Sequence, residues 1–358
     1  MNYLEKFIFY ILFLCYRWTP FLFLKQLLNS FENKMIIKYL PRSYIKPTKI
    51  PTISAYSLTE KSFSRISNNY NNPVLIKGFM SDAPAIQCWS LDYLNRKIDK
   101  DFKINCISNK VQIIPLTFNE FIERKEENIY INNNHTILSH FISLFNDIKQ
   151  RFLLLKAILY KIPNHIHIAN LFIGYGKNKG SHLHCGGSGN FFTQIKGKKH
   201  WTFIDPKYSC LLKGRLSLSG IHAQTLFDMP DRSIKIPPEI FNHLPRYEVL
   251  LEPGDIIWNP PWWWHRVHNV SDKLNIGMAI RLNKVTKLNL QNNLLYTLSG
   301  YTYLFYNSLL IGLYERIFLT NGEHFHNSKE ERKKSNVLYQ IKQLTQKYPK
   351  SLTLKDIK

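Results

Sequence analysis

The sequence predicts a mainly β protein with flanking helices, in which short strands form a sandwich or barrel. From residue 165 onward, short apolar runs alternate with Gly, Pro and Asp turn signals, a pattern typical of such folds. In addition, Glu252-Pro-Gly-Asp255 marks a tight turn between two apolar strands, as in barrels that hold a site at a strand-lined mouth. The strand-like runs are HIHIANLFIGYG, NFFTQIKGKKHWTFIDP, YEVLLEPGDIIWNPP, HRVHNV and LNIGMAIRL.

Composition narrows the classes of protein to which the chain can belong. It has 358 residues, 44% hydrophobic and 14% aromatic, which excludes a mainly disordered or collagen-like chain and allows a sizeable core. The net charge is +23, but no compact Lys/Arg block or zinc-finger pattern accompanies it, so no nucleic-acid partner is predicted. The five cysteines are scattered without a CxxC pair, which argues against a disulfide framework and a structural zinc site.

Residues 1–30 form a hydrophobic N-terminal segment. Its apolar stretch, residues 7–24, is about long enough to cross a bilayer, although Arg17 and Pro20 interrupt it. This predicts a membrane anchor or an interfacial helix, with a helix docked on the protein's own body as the alternative. The lysines that follow favour a membrane-associated protein with a cytosolic body, and the alternative is a soluble cytoplasmic protein.

The rest of the chain divides by composition. The Pro-punctuated residues 31–50 predict a linker, and residues 51–164 predict an N-terminal α/β part of the following domain. Residues 165–285 hold the strand-like runs and predict the β core. Residues 286–358 predict a C-terminal helical region with a basic tail, in which the uncharged stretch 294–314 favours a helix packed on the core or on a partner subunit.

Two stretches place histidines on predicted strands. They are Ser181-His-Leu-His-Cys-Gly186 and Pro260-Pro-Trp-Trp-Trp-His265. Because alternate residues of a strand point the same way, His182, His184 and residue 186 share one face, and His265 can join them from a distant strand. Neutral imidazoles suit Fe, Zn, Cu or Ni, and a mononuclear non-haem iron site normally adds one carboxylate to two histidines.

Four stretches of the chain together form a recognisable pattern. In order they are Asn72-Pro-Val-Leu-Ile-Lys-Gly-Phe79, Trp89-Ser-Leu-Asp-Tyr-Leu94, Asn190 to Lys199 with Trp201 to Pro206, and Leu251 to His265. In these stretches the sequence resembles the JmjC/cupin-like Fe(II)- and 2-oxoglutarate-dependent oxygenases, and especially the asparaginyl hydroxylase that acts on hypoxia-inducible factor. The resemblance runs from about residue 50 to about residue 285 and implies a double-stranded β-helix, the cupin/JmjC jelly-roll barrel.

The resemblance implies roles for individual residues. His184 and His265 fall on the family's iron-binding histidines. Lys199 falls on the lysine that pairs with the far carboxylate of 2-oxoglutarate, Ser181 falls on a hydroxyl that assists it, and Asn190 belongs to the same cofactor-binding set. A lysine suits this role, because a dicarboxylate that chelates iron through one end needs a cation at its free end.

The main departure from the family is Gly186, which stands where the relatives have the metal-binding carboxylate. No Asp or Glu lies between Gly174 and Ile204, so a shifted register cannot restore it. Three explanations stay open. Gly186 leaves a position for chloride, as in non-haem iron halogenases; or His182 is the third ligand of a three-His site; or the metal site is inactive and the fold is a binding module.

The resemblance implies an oxygenase that hydroxylates an unactivated C–H bond of a protein or small molecule, with Fe(II) and 2-oxoglutarate as cofactors. The alternatives are a halogenase that also uses chloride and a catalytically inactive cupin-like module at a membrane. Because relatives often dimerise through C-terminal helices, residues 288–319 predict a homodimer contact. Arg281, on the last predicted strand, faces either an anion in the pocket or solvent.

Overall fold

The computed structural model describes residues 2–18, 22–108, 112–127, 129–162, 166–216, 222–228 and 238–282. The predicted C-terminal region of residues 286–358, with the homodimer contact at 288–319, lies outside these ranges. Every α-helix of the described part precedes residue 166. The helices are α1 Tyr3–Trp18, α2 Leu22–Tyr39, α3 Glu60–Ile66, α4 Pro84–Cys88, α5 Leu91–Lys97, α6 Phe118–Glu123, α7 Thr136–His140 and α8 Ile142–Ile158.

Strands make up most of the described residues beyond α8. The early ones are β1 Thr48–Lys49, β2 Thr52–Ser54, β3 Val74–Lys77, β4 Ile104–Ile107, β5 Ile113–Leu116 and β6 Tyr130–Asn134. The later ones are β7 Ile166–Gly174, β8 Gly180–Gly186, β9 Gly189–Lys196, β10 Lys199–Ile204, β11 Gly214–Leu216, β12 His222–Thr225, β13 Arg246–Leu251, β14 Ile256–Asn259, β15 Trp264–Asn269 and β16 Asn275–Leu282.

The strands form a seven-stranded sheet in the order β1-β13-β10-β15-β8-β12-β11 and a nine-stranded sheet in the order β2-β3-β14-β9-β16-β7-β6-β4-β5. Four neighbouring antiparallel strands of each sheet, β13-β10-β15-β8 and β14-β9-β16-β7, make the centre of the fold. The predicted mainly β jelly-roll fold is therefore confirmed. Within the described residues, no strand pairing joins the sheets, so they face each other without closing into the predicted barrel.

Strand alternation decides what lies between the two sheets. One cluster of buried side chains takes residues from the inner faces of both, among them Phe192, Trp201, Phe203, Val267 and Ala279. The opposite face of the nine-stranded sheet buries a second and larger cluster against the helices that precede it in the chain. Polar residues that lie two or four positions along a strand from these inner apolar ones therefore also point into the space between the sheets.

The N-terminal helices pack on the outer face of the seven-stranded sheet. Phe9 and Phe13 of α1 and Leu28 of α2 are buried in one cluster with Leu183 and Trp264 of the sheet. None of the described helices is long and apolar enough to cross a membrane. The docked alternative therefore describes these helices better than a spanning anchor, because their apolar residues cover the sheet.

The linker predicted for residues 31–50 begins later than expected. Helix α2 continues across residue 30 and ends at Tyr39. Its Glu32 is fully buried and forms an ion pair with Arg215 of β11, with 2.7 Å between Oε2 and Nη2. Sequence composition misses this helix end because the contact that holds it comes from a strand nearly two hundred residues further along.

An apolar stripe on α1 remains on the outside. Leu4, Phe7, Ile8 and Ile11 follow helical spacing and are exposed. The lipid contact that the sequence predicts through residues 7–24 stays a prediction, and this stripe is the surface that would make it.

Replacing Phe13 by Ala should lower the free energy of unfolding by about 3 kcal/mol or more, because the cavity left by a buried phenylalanine collapses only partly. The side chain is 1% exposed, whereas Phe7 on the same helix is 61% exposed. Phe7→Ala is the matched control and should change the stability by less than about 0.5 kcal/mol. Denaturant unfolding of the full chain measures both, and equal small effects would show that α1 does not dock on the sheet.

Candidate metal centre

The structure brings two of the predicted histidines together between the sheets. Strands β8 and β15 pair antiparallel, and His265 lies directly opposite His184. Directly opposite residues share a face of the sheet, so both rings point the same way. Their ring centroids are 4.2 Å apart. His265 is 8% exposed and also stacks on Trp201 of β10, with ring centroids 5.7 Å apart.

Hydrogen bonds orient both imidazoles for metal binding. Nδ1 of His184 donates to the carbonyl oxygen of His182 over 2.8 Å, and Nδ1 of His265 donates to that of Trp263 over 2.9 Å. A carbonyl oxygen can only accept, so each Nδ1 carries the hydrogen and each Nε2 keeps a lone pair. This is the arrangement that metal-binding histidines usually show.

Burial keeps the two rings neutral. It lowers the pKa of His184 and lowers the pKa of His265 well below its usual range. The positive charge of His184, when protonated, lowers the pKa of His265 further. Neutral imidazole is the form that binds metal, so the pair is ready to bind at neutral pH without first losing protons.

Ser181 and His182, the other polar residues of the first histidine motif, depart from the simple alternation of side chains along a strand. A bulge shifts the register between β8 and β15, so that His265 faces His184 while Val267 faces Ser181. A Cβ at Gly180 would overlap the carbonyl oxygen of Val267, so the close approach beside the bulge needs glycine. Ser181 therefore lies on the inner face with His184, and His182 is exposed.

A third protein ligand is missing from the described part of the chain. There, no three His, Cys, Asp or Glu side chains lie together in an arrangement that could hold a metal ion. The alternative in which His182 completes a three-His site is therefore not supported, and His182 is exposed beside the bulge. Gly186 lies directly opposite His222 of β12, so no carboxylate comes from that neighbouring position either. The donors fit a metal held by two imidazoles whose other positions are taken by non-protein ligands.

Lys199 points into the same space from β10. It lies opposite Asn269, four residues along β15 from His265, or about 13 Å of strand. Its side chain is 1% exposed, and Nζ donates to Oδ1 of Asn269 over 2.6 Å and to the hydroxyl of Tyr130 over 3.3 Å. Neither partner is a carboxylate. Burial lowers the pKa of Lys199 to about 7, and among the described residues no carboxylate hydrogen-bonds to its ammonium.

Two neighbours that hold Lys199 were missed by the sequence analysis. The side chain of Asn269 is oriented by its own amide, which donates to the carbonyl oxygen of Gly176 over 3.1 Å. The Tyr130 ring lies over Gly174, where a Cβ would overlap it. The glycine at position 174 is the sequence signal for this contact, because a side chain there would displace the ring. This signal can be interpreted only when the pairing of β6 with β7 is known.

Asn190 lies on β9 beside the histidine pair. It is opposite Asn259 of β14 on one side and Arg281 of β16 on the other. The amide nitrogen of Asn259 lies 3.4 Å from Nε2 of His265. Within the described residues, Oδ1 of Asn190 and Oδ1 of Asn259 are buried without a hydrogen-bond partner. Native structures leave few such atoms unpaired, and a ligand with donor groups at this end of the space would satisfy both oxygens.

Three known proteins illustrate what the chain is similar to. The chain is 26% identical over 228 residues to JmjC domain-containing protein A of Dictyostelium discoideum, which covers 58% of this chain and 86% of the relative. It is 24% identical over 255 residues to tRNA wybutosine-synthesizing protein 5 of Gallus gallus, covering 65% of this chain and 76% of that protein. A shorter match, 29% over 86 residues, joins it to the 2-oxoglutarate and iron-dependent oxygenase JMJD4 of Mus musculus, covering 23% of this chain and 19% of the relative.

The cupin-like domain family matches residues 60–283, which is well over half of the chain. The match includes all the core strands of the jelly roll, the histidine pair and Lys199. The protein therefore belongs to the family of cupin-like, JmjC-type domains.

Proposed function

We propose that the protein is an Fe(II)- and 2-oxoglutarate-dependent oxygenase that hydroxylates an unactivated C–H bond of a protein or small molecule. The observation that carries this proposal is the combination of two oriented, neutral imidazoles with a buried lysine that has no carboxylate partner among the residues the structure describes. The name of the mouse relative, a 2-oxoglutarate and iron-dependent oxygenase, supports the same cofactors.

Each residue has one task in this proposal. His184 and His265 hold the metal through Nε2, and their Nδ1 hydrogen bonds keep the rings in place. Lys199 binds the free carboxylate of 2-oxoglutarate, with Asn269 and Tyr130 holding its ammonium in position. Ser181 lies between these two groups along the strand and supplies a hydroxyl for the cosubstrate. Iron with 2-oxoglutarate and oxygen supplies the oxidising power.

The apolar side chains around the site exclude water from it. Trp201 and Phe203 lie on the same strand face as Lys199, and Phe203 is opposite His265. A low local dielectric strengthens the attraction between the lysine and a carboxylate, which favours a tightly held cosubstrate.

Gly186 favours a second candidate function within the same chemistry. Without a protein carboxylate, one more metal position is open to an anion, and chloride there would make the protein a halogenase. The lack of a third protein ligand among the described residues also favours the third hypothesis, a cupin-like module that binds its partner without turnover.

The test is anaerobic addition of Fe(II) and 2-oxoglutarate to the full chain, with and without chloride, while the visible iron-to-2-oxoglutarate charge-transfer band is recorded. We expect a band, because two imidazoles and a bidentate cosubstrate suffice to hold iron. A band that shifts with chloride would favour the halogenase, and an indifferent band would favour hydroxylation. A folded protein that gives no band and binds no iron would contradict the oxygenase proposal.

Gly186→Asp is the companion variant. It restores the carboxylate that relatives carry two residues after the first histidine, so it should tighten iron binding and make the band insensitive to chloride. Unchanged iron affinity and an unchanged response to chloride would show that residue 186 does not face the metal.

A further inference from the structure

The two N-terminal helices lie side by side on the outer face of the seven-stranded sheet. Each helix buries one side in the same cluster as that sheet, through Phe13 of α1 and Leu28 of α2. Three residues join the end of α1 to the start of α2, and Glu5 near the start of α1 accepts hydrogen bonds from Lys38 and Tyr39 at the end of α2. The helices therefore run in opposite directions, and the sides that they do not bury face outward together.

Exposed apolar side chains occupy much of this outward surface. The stripe on α1 follows helical spacing, and two apolar residues near the start of α2 lie four positions apart and are also exposed. Apolar residues scattered singly over a surface are normal, whereas a group on one side of two adjacent helices marks a contact site. We call this group the hairpin patch, and its members are Leu4, Phe7, Ile8, Ile11, Phe23 and Leu27.

Basic side chains border the hairpin patch. Lys34 and Lys38 lie seven and eleven residues beyond Leu27, which places them on the same side of α2. Between residues 22 and 50 the acidic side chain is that of Glu32, which is buried and paired with Arg215. The same stretch holds six exposed basic residues, Lys25, Lys34, Lys38, Arg42, Lys46 and Lys49. The chain around the patch is therefore strongly positive.

We propose that the outward side of α1 and α2 binds the surface of a membrane that contains anionic lipids. Such a membrane offers both an apolar layer for the hairpin patch and negative headgroups for its basic border. One side of α1 is already buried on the sheet, so the helix lies along the membrane and lipid covers only its other side. The jelly roll is then attached to the membrane through the helices on the outer face of its seven-stranded sheet.

The experiment sediments the full chain with vesicles of phosphatidylcholine and, separately, with vesicles of phosphatidylcholine mixed with phosphatidylserine. The mixed vesicles should bind about 10-fold more tightly or better, because each cation near an anionic surface strengthens the attachment. Salt at about 1 M should release most of the bound protein, since the Debye length then falls to about 3 Å. Equal binding to the two kinds of vesicle, or binding to neither, would overturn the proposal.

Phe7→Ser combined with Ile11→Ser tests the apolar part of the surface. This double variant should bind the mixed vesicles about 10-fold more weakly, because it removes apolar area that lipid covers. The matched control is Tyr160→Ser combined with Ile113→Ser, which removes two exposed apolar side chains beyond α8 and on β5, in the part of the fold that holds the nine-stranded sheet. All four residues are exposed, so the thermal melts of both variants should match that of the wild type. Equal losses of vesicle binding would overturn the assignment to α1.

Lys34→Gln combined with Arg42→Gln tests the basic border. It should weaken binding to the mixed vesicles about 10-fold and leave binding to pure phosphatidylcholine as it is in the wild type. Lys61→Gln combined with Lys100→Gln is the matched control, because it removes the same charge from two exposed lysines outside α1 and α2. An equal effect of the two pairs would assign the attraction to the net charge of the protein and overturn the role of the border.

Sedimentation velocity without vesicles separates lipid from a second copy of the chain as the occupant of the patch. The wild type and Phe7→Ser with Ile11→Ser should show the same state of association. A dimer that this double variant disrupts, in a chain that binds no vesicles, would overturn the proposal in favour of self-association. These experiments contain no metal, so a missing charge-transfer band would count against the oxygenase and not against the membrane contact.

Discussion

Replacing His184 or His265 by Ala should weaken Fe(II) binding by more than about 100-fold, since losing only an outer partner of a metal-binding histidine already costs 10–100-fold. The two rings are the only described pair of imidazoles that β8 and β15 place directly opposite each other, and their centroids are 4.2 Å apart. With one ring gone, a single protein ligand remains at the site. Oxygenase activity and the charge-transfer band should disappear together.

His182→Ala is the matched control for these variants. It removes the same side chain from the same strand, but the bulge leaves His182 exposed. It should keep Fe(II) affinity within about 3-fold, because an exposed imidazole outside the pair contributes no metal bond. Calorimetric titration of Fe(II), or of Co(II) in air, into the full chain compares the three variants. Equal losses for His182 and His184 would revive the three-His site and contradict the arrangement described above.

Lys199→Met should abolish 2-oxoglutarate binding and also change how stability depends on pH. In the folded protein the pKa of Lys199 lies at about 7, whereas an unfolded lysine titrates near 10.4. Between these values the unfolded state binds more protons than the folded state, so the lysine makes stability rise with pH. Below about pH 7 both states are protonated, and the full cost of burying the charge is present.

The difference in unfolding free energy between the wild type and Lys199→Met isolates this effect. The free energy of unfolding of the wild type, relative to that of Lys199→Met, should rise by up to about 1.4 kcal/mol per pH unit between about pH 7 and pH 10. Burial raises the pKa of the thiols of Cys106, Cys185 and Cys210, which makes stability fall with alkaline pH. Both proteins share these thiols, so their contribution cancels in the difference.

Lys198→Met is the control for this prediction. Lys198 is the neighbouring residue, is exposed, and pairs with Glu252 at the turn before β14. Its variant should bind 2-oxoglutarate normally and show no added pH dependence of this kind. Guanidinium unfolding at pH 6.5, 8 and 9.5 measures all three proteins. A flat difference between the wild type and Lys199→Met would show that the lysine is paired or solvated in the folded state.

Several features of the molecule follow from local sequence. The apolar runs with turn signals predict the strands of the jelly roll, because alternation and turn chemistry act over a few residues. The resemblance to the JmjC/cupin-like family rests on short motifs, and it implies the roles of His184, His265 and Lys199. The same resemblance marks Gly186 as the position where relatives have a carboxylate.

Other parts depend on which strands become neighbours. The exposure of His182 comes from a bulge in the pairing of β8 with β15, and one strand's sequence does not reveal how its partner is registered. The partners of Lys199, Tyr130 and Asn269, come from strands about seventy residues away on either side. Asn259 and Arg281 likewise lie beside Asn190 only because β14, β9 and β16 are adjacent strands.

The N-terminal segment of the chain shows the same division. From sequence alone, residues 7–24 are apolar enough to predict membrane association. Hydrophobicity does not say whether lipid or protein covers this segment. The tertiary structure supplies the outer face of the seven-stranded sheet, which buries Phe9 and Phe13 and leaves the stripe around Phe7 outside. The sequence by itself thus determined the strands, the histidine pair and the lysine, whereas the tertiary structure decided their partners, because partners are set by packing between distant segments.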